Sequence, residues 1–285
     1  MLKVFFSAAI LLMGGLGFSE SALLGRAIIP THSGQIGGLS AIHIADDGMS
    51  FTALSDRGTF LTGELRRNAA GKITGIAAGT PIPLHNAERD NANVGNDSEG
   101  LAIAPDGTIY VSFEGDHRVG KFATVDAVED TLPIPNDFTA LQGNSGLEAL
   151  AIDASGALFT IPERSGRYDQ PFPVYRFADG KWDQPYAIPR SGAYLVVGAD
   201  FGPDGLLYVL ERDFTGIGFN TRVRRLDLEA ATADTILKTG FGVHGNLEGI
   251  SVWRNAEGQQ IMTLIADNNF RSILTNEIAE YRIDG

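Results

Sequence analysis

Carboxylates recur in this sequence where apolar strands begin and end. In NDSEGLAIAPDGTIYVSFEGDH, from Asn96 to His117, Glu99 precedes an apolar run, an Asp-Gly pair follows, and a second apolar run stops at Glu114. Asp-Gly between two alternating apolar runs is a strong short-range signal for a β-hairpin. An acid before the first strand and an acid after the second therefore share one end of the hairpin. The pattern returns in GGLSAIHIADDGMSFTALSDRG with Asp56, in GLEALAIDASGALFTIPERSGR with Glu148 and Glu163, in GADFGPDGLLYVLERDF with Glu211, and in NLEGISVWRNAEGQQIMTLIADNNF with Glu248 and Asp267. Carboxylates gathered at one place repel, and burial without partners raises their pKa values or costs several kcal/mol each. A divalent cation or a set of Arg partners must accompany them.

Both remedies are written into the same stretches. Asn stands before the inner acids in GNDSEG, GNSGLE and GNLEG, which places neutral oxygens beside carboxylates as Ca²⁺ prefers. The candidate metal ligands are Asp56, Glu99, Glu114, Glu148, Glu211, Glu248 and Asp267. The plainer reading of Glu99, Glu148 and Glu248 is that each accepts backbone N–H groups and fixes a loop. Arginine follows the outer acids at Arg57, Arg164 with Arg167, and Arg212, and DHR adds His117 and Arg118 after Glu114. These cations either pair with the acids or hold an anionic substrate. His32, His43, His85 and His244 have no zinc-site spacing, and no G-x-S-x-G, H-E-x-x-H or G-x-x-x-x-G-K sequence occurs.

What positions these groups is a repeat. The closing acids Asp56, Glu114, Glu163, Glu211 and Asp267 lie 58, 49, 48 and 56 residues apart by subtraction of their numbers. After each there is room for two more strands, such as PVYRFADGKW and PYAIPR, and four short strands per unit of about fifty residues is the period of a β-propeller blade. The chain is thus expected to be all-β, a propeller of five four-stranded blades, with the rival of two packed sheets disfavoured by the regular period. The last unit lacks one strand, and LLGRAIIP near the N-terminus is expected to supply it and close the ring. A sixth, degenerate blade between Arg66 and Pro83 is the alternative to reading that stretch as the outer pair of the first blade.

Composition bounds the rest. The chain has 285 residues, 44% of them hydrophobic, with 35 Gly, 12 Pro and no Cys, so disulfides and thiolate chemistry are excluded. A formal charge of −13 argues against nucleic-acid binding. MLKVFFSAAILLMGGLGFSESA has one Lys, a short apolar run and small residues, the build of a secretory signal peptide. Residues 1–20 are expected to be removed, leaving 21–285 as a periplasmic or secreted propeller with no stable membrane insertion.

GGLSAIHIADDGMSFTALSDRG, DSEGLAIAPDGTIYVSFEG, LEALAID, LYVLERDF and NLEGISVW, in that order, resemble the bacterial phytase-like proteins described as having esterase-like activity. The resemblance spans nearly all of the chain after the leader. It implies an exported β-propeller, calcium-dependent, that hydrolyses phosphate or carboxylic esters, with Asp56, Arg57, Glu99, Glu114, Glu148, Glu163, Glu211, Arg212 and Glu248 at the family's motif positions. The chain lacks the dense Lys and Arg cluster of alkaline propeller phytases. In the resulting expectation, Ca²⁺ polarises the scissile group, Glu148 or Glu163 handles the attacking water, and Arg57, Arg164 or Arg212 stabilises developing charge. The expected partner is a small anionic or ester substrate bound by a monomer. Two alternatives remain open: a lactonase-like propeller using Glu99 or Glu248 with Asn144 and Asp200, and a non-enzymatic binding propeller stabilised by calcium.

Overall fold

Alternating apolar strands joined by tight Gly turns build every sheet of the molecule. A computed structural model describes residues 21–30, 36–86, 97–143, 145–270 and 274–284. β1 (Ala22–Ile28) comes first. The first blade follows with β2 (Leu39–Ile44), β3 (Ser50–Ser55), β4 (Thr59–Arg67) and β5 (Ile73–Ala78), and β6 (Ile82–Pro83) pairs with the start of β4. The second blade is β7 (Ser98–Ile103), β8 (Ile109–Phe113), β9 (Arg118–Phe122) and β10 (Asp130–Thr131). The third is β11 (Leu147–Ile152), β12 (Leu158–Pro162), β13 (Phe172–Ala178) and β14 (Lys181–Ile188). The fourth is β15 (Leu195–Phe201), β16 (Leu207–Phe214), β17 (Phe219–Asp227) and β18 (Thr232–Thr239). The fifth contains β19 (Asn246–Arg254), β20 (Gln260–Asp267) and β21 (Glu277–Ile283).

The five sheets are all antiparallel meanders, so the chain is a five-bladed β-propeller. The stretch from Arg66 to Pro83 supplies the outer part of the first blade and not a sixth one. The fifth blade is completed by β1, whose residues run in register from Ala22↔Arg282 to Ile28↔Glu277. The two ends of the chain thus share one sheet, which closes the ring as expected from LLGRAIIP. Among the described residues no helix is long and apolar enough to cross a membrane. Residues 1–20, the expected leader, lie outside them.

The core is divided among the seams between blades. Five apolar clusters each draw side chains from two consecutive blades, for example Phe60 and Leu54 with Phe113 and Phe122 between the first and second, and Ile42 and Leu61 with Ile261 and Ile265 between the first and fifth. Both faces of each sheet are therefore buried, which is why the inner strands read as nearly continuous apolar runs. Each inner hairpin turns on a Gly in the left-handed region, such as Gly107 at φ 87°, where the Asp106 carboxylate accepts the Thr108 N–H at 2.9 Å.

Around the axis the innermost strands approach closely. A methyl group at Gly198 would fall 2.6 Å from the Glu248 carbonyl oxygen, and one at Gly249 would fall 2.7 Å from the Ala41 Cα. The corresponding residues in the other blades, Ala41, Gly100 and Ala149, are also small. The Gly or Ala after each inner acid is therefore a packing requirement of the ring, and it fixes where the preceding side chain is presented.

Candidate functional site

The inner pair of every blade slips register once near the same rim. The slips lie between Leu39 and Ala41, Ser98 and Leu101, Leu147 and Ala149, Val196 and Gly198, and Leu247 and Gly249. A β-bulge of this kind leaves one residue out of the ladder and re-aims its side chain. The residues set free are Ser40, Glu99, Glu148, Val197 and Glu248. Three of the five bulges thus carry Glu.

These three glutamates come from different blades and feel one another. Burial pushes Glu99 well above the usual carboxylate range, and the charges of Glu148, Glu248, Asp97 and Glu114 push it further. Glu148 is raised by burial and then by Glu163, with Arg212 opposing. Glu248 is also raised by burial, again against Arg212. The three carboxylates, each from a different blade, thus lie close enough at this rim to act on one another electrostatically.

The ends of the second strands supply the other half of the rim. Asp56, Glu114, Glu163 and Asp267 each occupy the first place beyond the residue paired just before the bulge, or its equivalent. In the fourth blade that place belongs to Arg212, because Leu195 pairs with Arg212 and Val196 with Glu211. Glu211, expected as a metal ligand, is corrected on this point. One residue along a strand reverses the face, and Glu211 is fully buried with Oε2 accepting from Arg222 Nε at 2.7 Å and Oε1 from Arg224 Nη2 at 2.7 Å. Its two oxygens are committed to guanidinium groups.

Three groupings result. In the first, one oxygen each from Asp97, Glu99 and Glu114 lies within 4.8 Å of the others. Two oxygens on one Ca²⁺ at about 2.4 Å stand at most about 4.8 Å apart, so this set fits a single calcium ion. It is also all oxygen, without the nitrogen or sulfur donors that zinc sites favour. Burial raises Glu114 to about 7, with the Gly146 N–H at 2.8 Å opposing and Asp97 and Glu163 adding to the rise. Asp97 was not singled out from the sequence, although Asp97-Ser98-Glu99 set two acids one residue apart.

In the second grouping, Arg212 of the fourth blade gathers acids of the third and fifth. Nη1 donates to Glu248 and to Asn246 Oδ1 at 2.8 Å, and Nη2 approaches Glu163 Oε1 at 3.5 Å. Burial alone would lower the Arg212 pKa, but Glu248, Glu148 and Glu163 together raise it. Asn246 donates to Glu248 at 2.6 Å, so its amide serves this cluster and does not offer a free oxygen to a metal. Arg164 lies beside Glu163, Nε to Oε2 at 3.1 Å, with half of its side chain exposed.

The third grouping spans the seam of the first and fifth blades. Asp56 is raised to about 6 by burial and then by Glu248, with Arg57 opposing. Asp267 is raised by burial; the Asn269 N–H at 2.8 Å opposes and Asp56 adds. The Arg57 guanidinium sits 3.4 Å from the centroid of the Phe270 ring. Of the two roles open to Arg118 the structure shows the pairing one: it is buried against Glu129, Nε to Oε1 at 2.8 Å, within the second blade. One further sequence reading is corrected. Asp200 pairs across from Tyr208, three residues beyond the bulge and roughly 10 Å along the strand, where it accepts the Val252 N–H at 2.7 Å. It does not join the rim acids. Asn144, its proposed partner in the lactonase arrangement, lies outside the described residues.

These shifts set a pH dependence for the metal-free protein. Unfolded carboxylates titrate near 4, whereas Asp56, Glu99, Glu114, Glu148, Glu248 and Asp267 hold protons to higher pH when folded. The folded state therefore binds more protons between the two ranges, and stability falls as pH rises from about 4 to 7. Chelator-treated protein is expected to melt several degrees lower at pH 7.5 than at pH 5, and calcium is expected to remove the difference. A melting temperature that rises across this interval without calcium contradicts the assignment.

Five meandering blades around an acid-lined axis define the class of the protein, a β-propeller with a charged channel mouth. A profile of the phytase-like family, described as esterase-like activity of phytase, matches residues 34–270, and the chain belongs to that family. Comparison with curated proteins found no match. Among solved structures, a protein of unknown function from Dyadobacter fermentans is 11% identical, with 93% of this chain and 88% of that one covered and a TM-score of 0.51, and it shares the fold. Virginiamycin B lyase from Staphylococcus aureus is 17% identical over 93% of this chain and 75% of that one, with a TM-score of 0.44. A luciferin-regenerating enzyme is 12% identical over 90% and 94%, with a TM-score of 0.49.

Proposed function

We propose that the chain is an exported, calcium-assisted hydrolase of ester or phosphoester bonds, acting on a small anionic or ester substrate at the acid-lined mouth of the propeller. The observation that carries this reading is the set of three oxygens from Asp97, Glu99 and Glu114 within 4.8 Å of one another, in a chain of the phytase-like family. Those three residues would hold the ion. Bound there, calcium supplies Lewis-acid polarisation of a carbonyl or phosphoryl oxygen and a counter-charge for the acids.

The chain's own groups supply the rest. Glu148, whose pKa is raised above the ordinary carboxylate range by burial and then by Glu163, is a stronger base than a free carboxylate and is suited to take a proton from the attacking water. Glu163 is held between Arg212 and Arg164. Arg212 supplies counter-charge to Glu248 and Glu163, and Arg57 and Arg164 would stabilise charge that develops on a leaving anion.

The test is hydrolysis of p-nitrophenyl phosphate and p-nitrophenyl butyrate by chelator-stripped and calcium-resupplied protein. The expected result is turnover of at least one substrate that falls by roughly two orders of magnitude on stripping, the worth of a few kcal/mol of transition-state stabilisation, and returns with calcium. Equal rates in both states would rule out the calcium-assisted mechanism. A melting temperature that rises with calcium while neither substrate turns over would favour a binding propeller.

A further inference from the structure

The fourth blade breaks the acidic pattern twice, and the break faces an unusual surface. Its bulge carries Val197 where three other blades carry Glu, and its closing position carries Arg212 where the others carry an acid. Immediately beyond Arg212, β16 ends in Phe214, which is 61% exposed, and the turn to β17 presents Ile217 at 80%. The Phe214 and Phe219 rings lie 5.1 Å apart, and the Arg212 guanidinium is 5.9 Å from the Phe219 centroid. The segment after β18 adds Phe241, 58% exposed, and Val243. The Phe241 ring packs so close to Gly218 that no side chain would fit there, so the two loops adjoin.

This surface is held in place from behind. His244 is buried, with Nδ1 3.0 Å from Glu277 Oε1 and Nε2 2.5 Å from the Tyr281 hydroxyl, and the Val243 carbonyl accepts from Arg26 Nη1 at 3.2 Å. The apolar lip is therefore anchored to the fifth blade and not a loose loop end. On a chain of net charge −13, four of the ten large hydrophobic side chains exposed among the described residues are carried by these two neighbouring loops, beyond the Phe219 ring from Arg212. Isolated exposed apolar residues need no explanation, but a contiguous patch beside a polar site does.

We propose that Phe214, Ile217, Phe241 and Val243 form a subsite for the apolar arm of the substrate, an alkyl, acyl or aryl group of about six carbons or more, whose ester or phosphate head sits at the channel mouth. The proposal rests on the hydrolase reading for its head group and narrows the substrate class to amphipathic esters. An arm lying over the Phe214 and Phe219 rings leads to the Arg212 guanidinium, 5.9 Å from the Phe219 centroid, at the edge of the acid cluster. Small, highly charged polyanions have no use for such a lip.

Binding, measured apart from turnover, tests it. Octylphosphonate, below its micellar concentration, and methylphosphonate are titrated calorimetrically into the full chain with calcium present. The octyl compound is expected to bind at least tenfold more tightly, and the Phe214→Ala/Phe241→Ala variant is expected to lose that advantage while its methylphosphonate affinity is unchanged. Equal affinities, an advantage that survives in the variant, or no octylphosphonate binding at all would overturn the subsite. A wild-type dimer in sedimentation that the variant converts to monomer would assign the lip to a second copy and overturn it also. Absence of ester hydrolysis alongside a clear octyl preference would instead strike at the hydrolase reading and leave the lip as a binding site.

Discussion

Arg212→Met is expected to lower the melting temperature by about 10 °C at pH 8 and by much less at pH 5. Arg212 is the one guanidinium that reaches Glu163 and Glu248 together among the described residues, and Glu148 acts on it from the same cavity. Removing one partner of a buried ion cluster costs about 3–5 kcal/mol, because the remaining charges stay desolvated. For a chain of this size each kcal/mol moves the midpoint by about 2–4 °C. Glu148 and Glu248, already raised by burial, can escape the penalty by taking up protons, and that escape costs less at pH 5 than at pH 8. Thermal unfolding at the two pH values distinguishes this from simple loss of packing, which would lower both midpoints equally. A shift below 2 °C at both would show that Arg212 is not the counter-charge of the cluster.

Glu99→Gln is expected to act in two directions at once. Hydrolysis should fall by roughly two orders of magnitude, because an oxygen set that loses its central charge holds a divalent ion weakly. The metal-free protein, however, should become more stable at pH 8. Glu99 is pushed up by burial and by four neighbouring acids, so its ionised form is a cost to the folded state that Gln removes. Sites that are strained in the empty state and relieved by their ligand show this opposition of stability and function. The plain alternative, in which Glu99 is a loop-fixing acceptor of backbone N–H groups, predicts the reverse: a lower melting temperature and retained activity. Parallel melting curves and rates for the one variant decide between them.

The hairpins were legible because their signals are local. Asp47-Gly48, Asp106-Gly107 and Asp204-Gly205 dictate tight turns, and strand alternation on either side follows, so the blade count and the closing strand at Ala22–Ile28 could be read directly. The acids converging at one rim could also be read, since hairpin geometry places Glu99 with Glu114 and Glu148 with Glu163. Register could not. Glu211 ends an apolar run just as Glu163 does, yet it sits one residue earlier relative to its partner strand and turns away to Arg222 and Arg224. The bulges that present Glu99, Glu148 and Glu248 left only an indirect trace, the small residue that follows each. That residue is there because neighbouring inner strands nearly touch, and such a contact lies between residues fifty or more positions apart, Gly198 with Glu248 and Gly249 with Ala41. The role of Asp97 depends on its meeting the end of β8, where the Glu114 N–H donates to the Asp97 carbonyl at 2.7 Å, and no local signal in the sequence marks that contact.

The central claim is that acids from separate blades share one cavity whose repulsion a divalent ion relieves. Calorimetric titration of calcium into the stripped protein at pH 6.5, in two buffers of different ionisation enthalpy, measures ion stoichiometry and proton release together. One ion per chain, bound with release of protons from the raised carboxylates and lost in Glu99→Gln, is the predicted result. Absence of calcium binding, or binding without proton release that persists in Glu99→Gln, would contradict it.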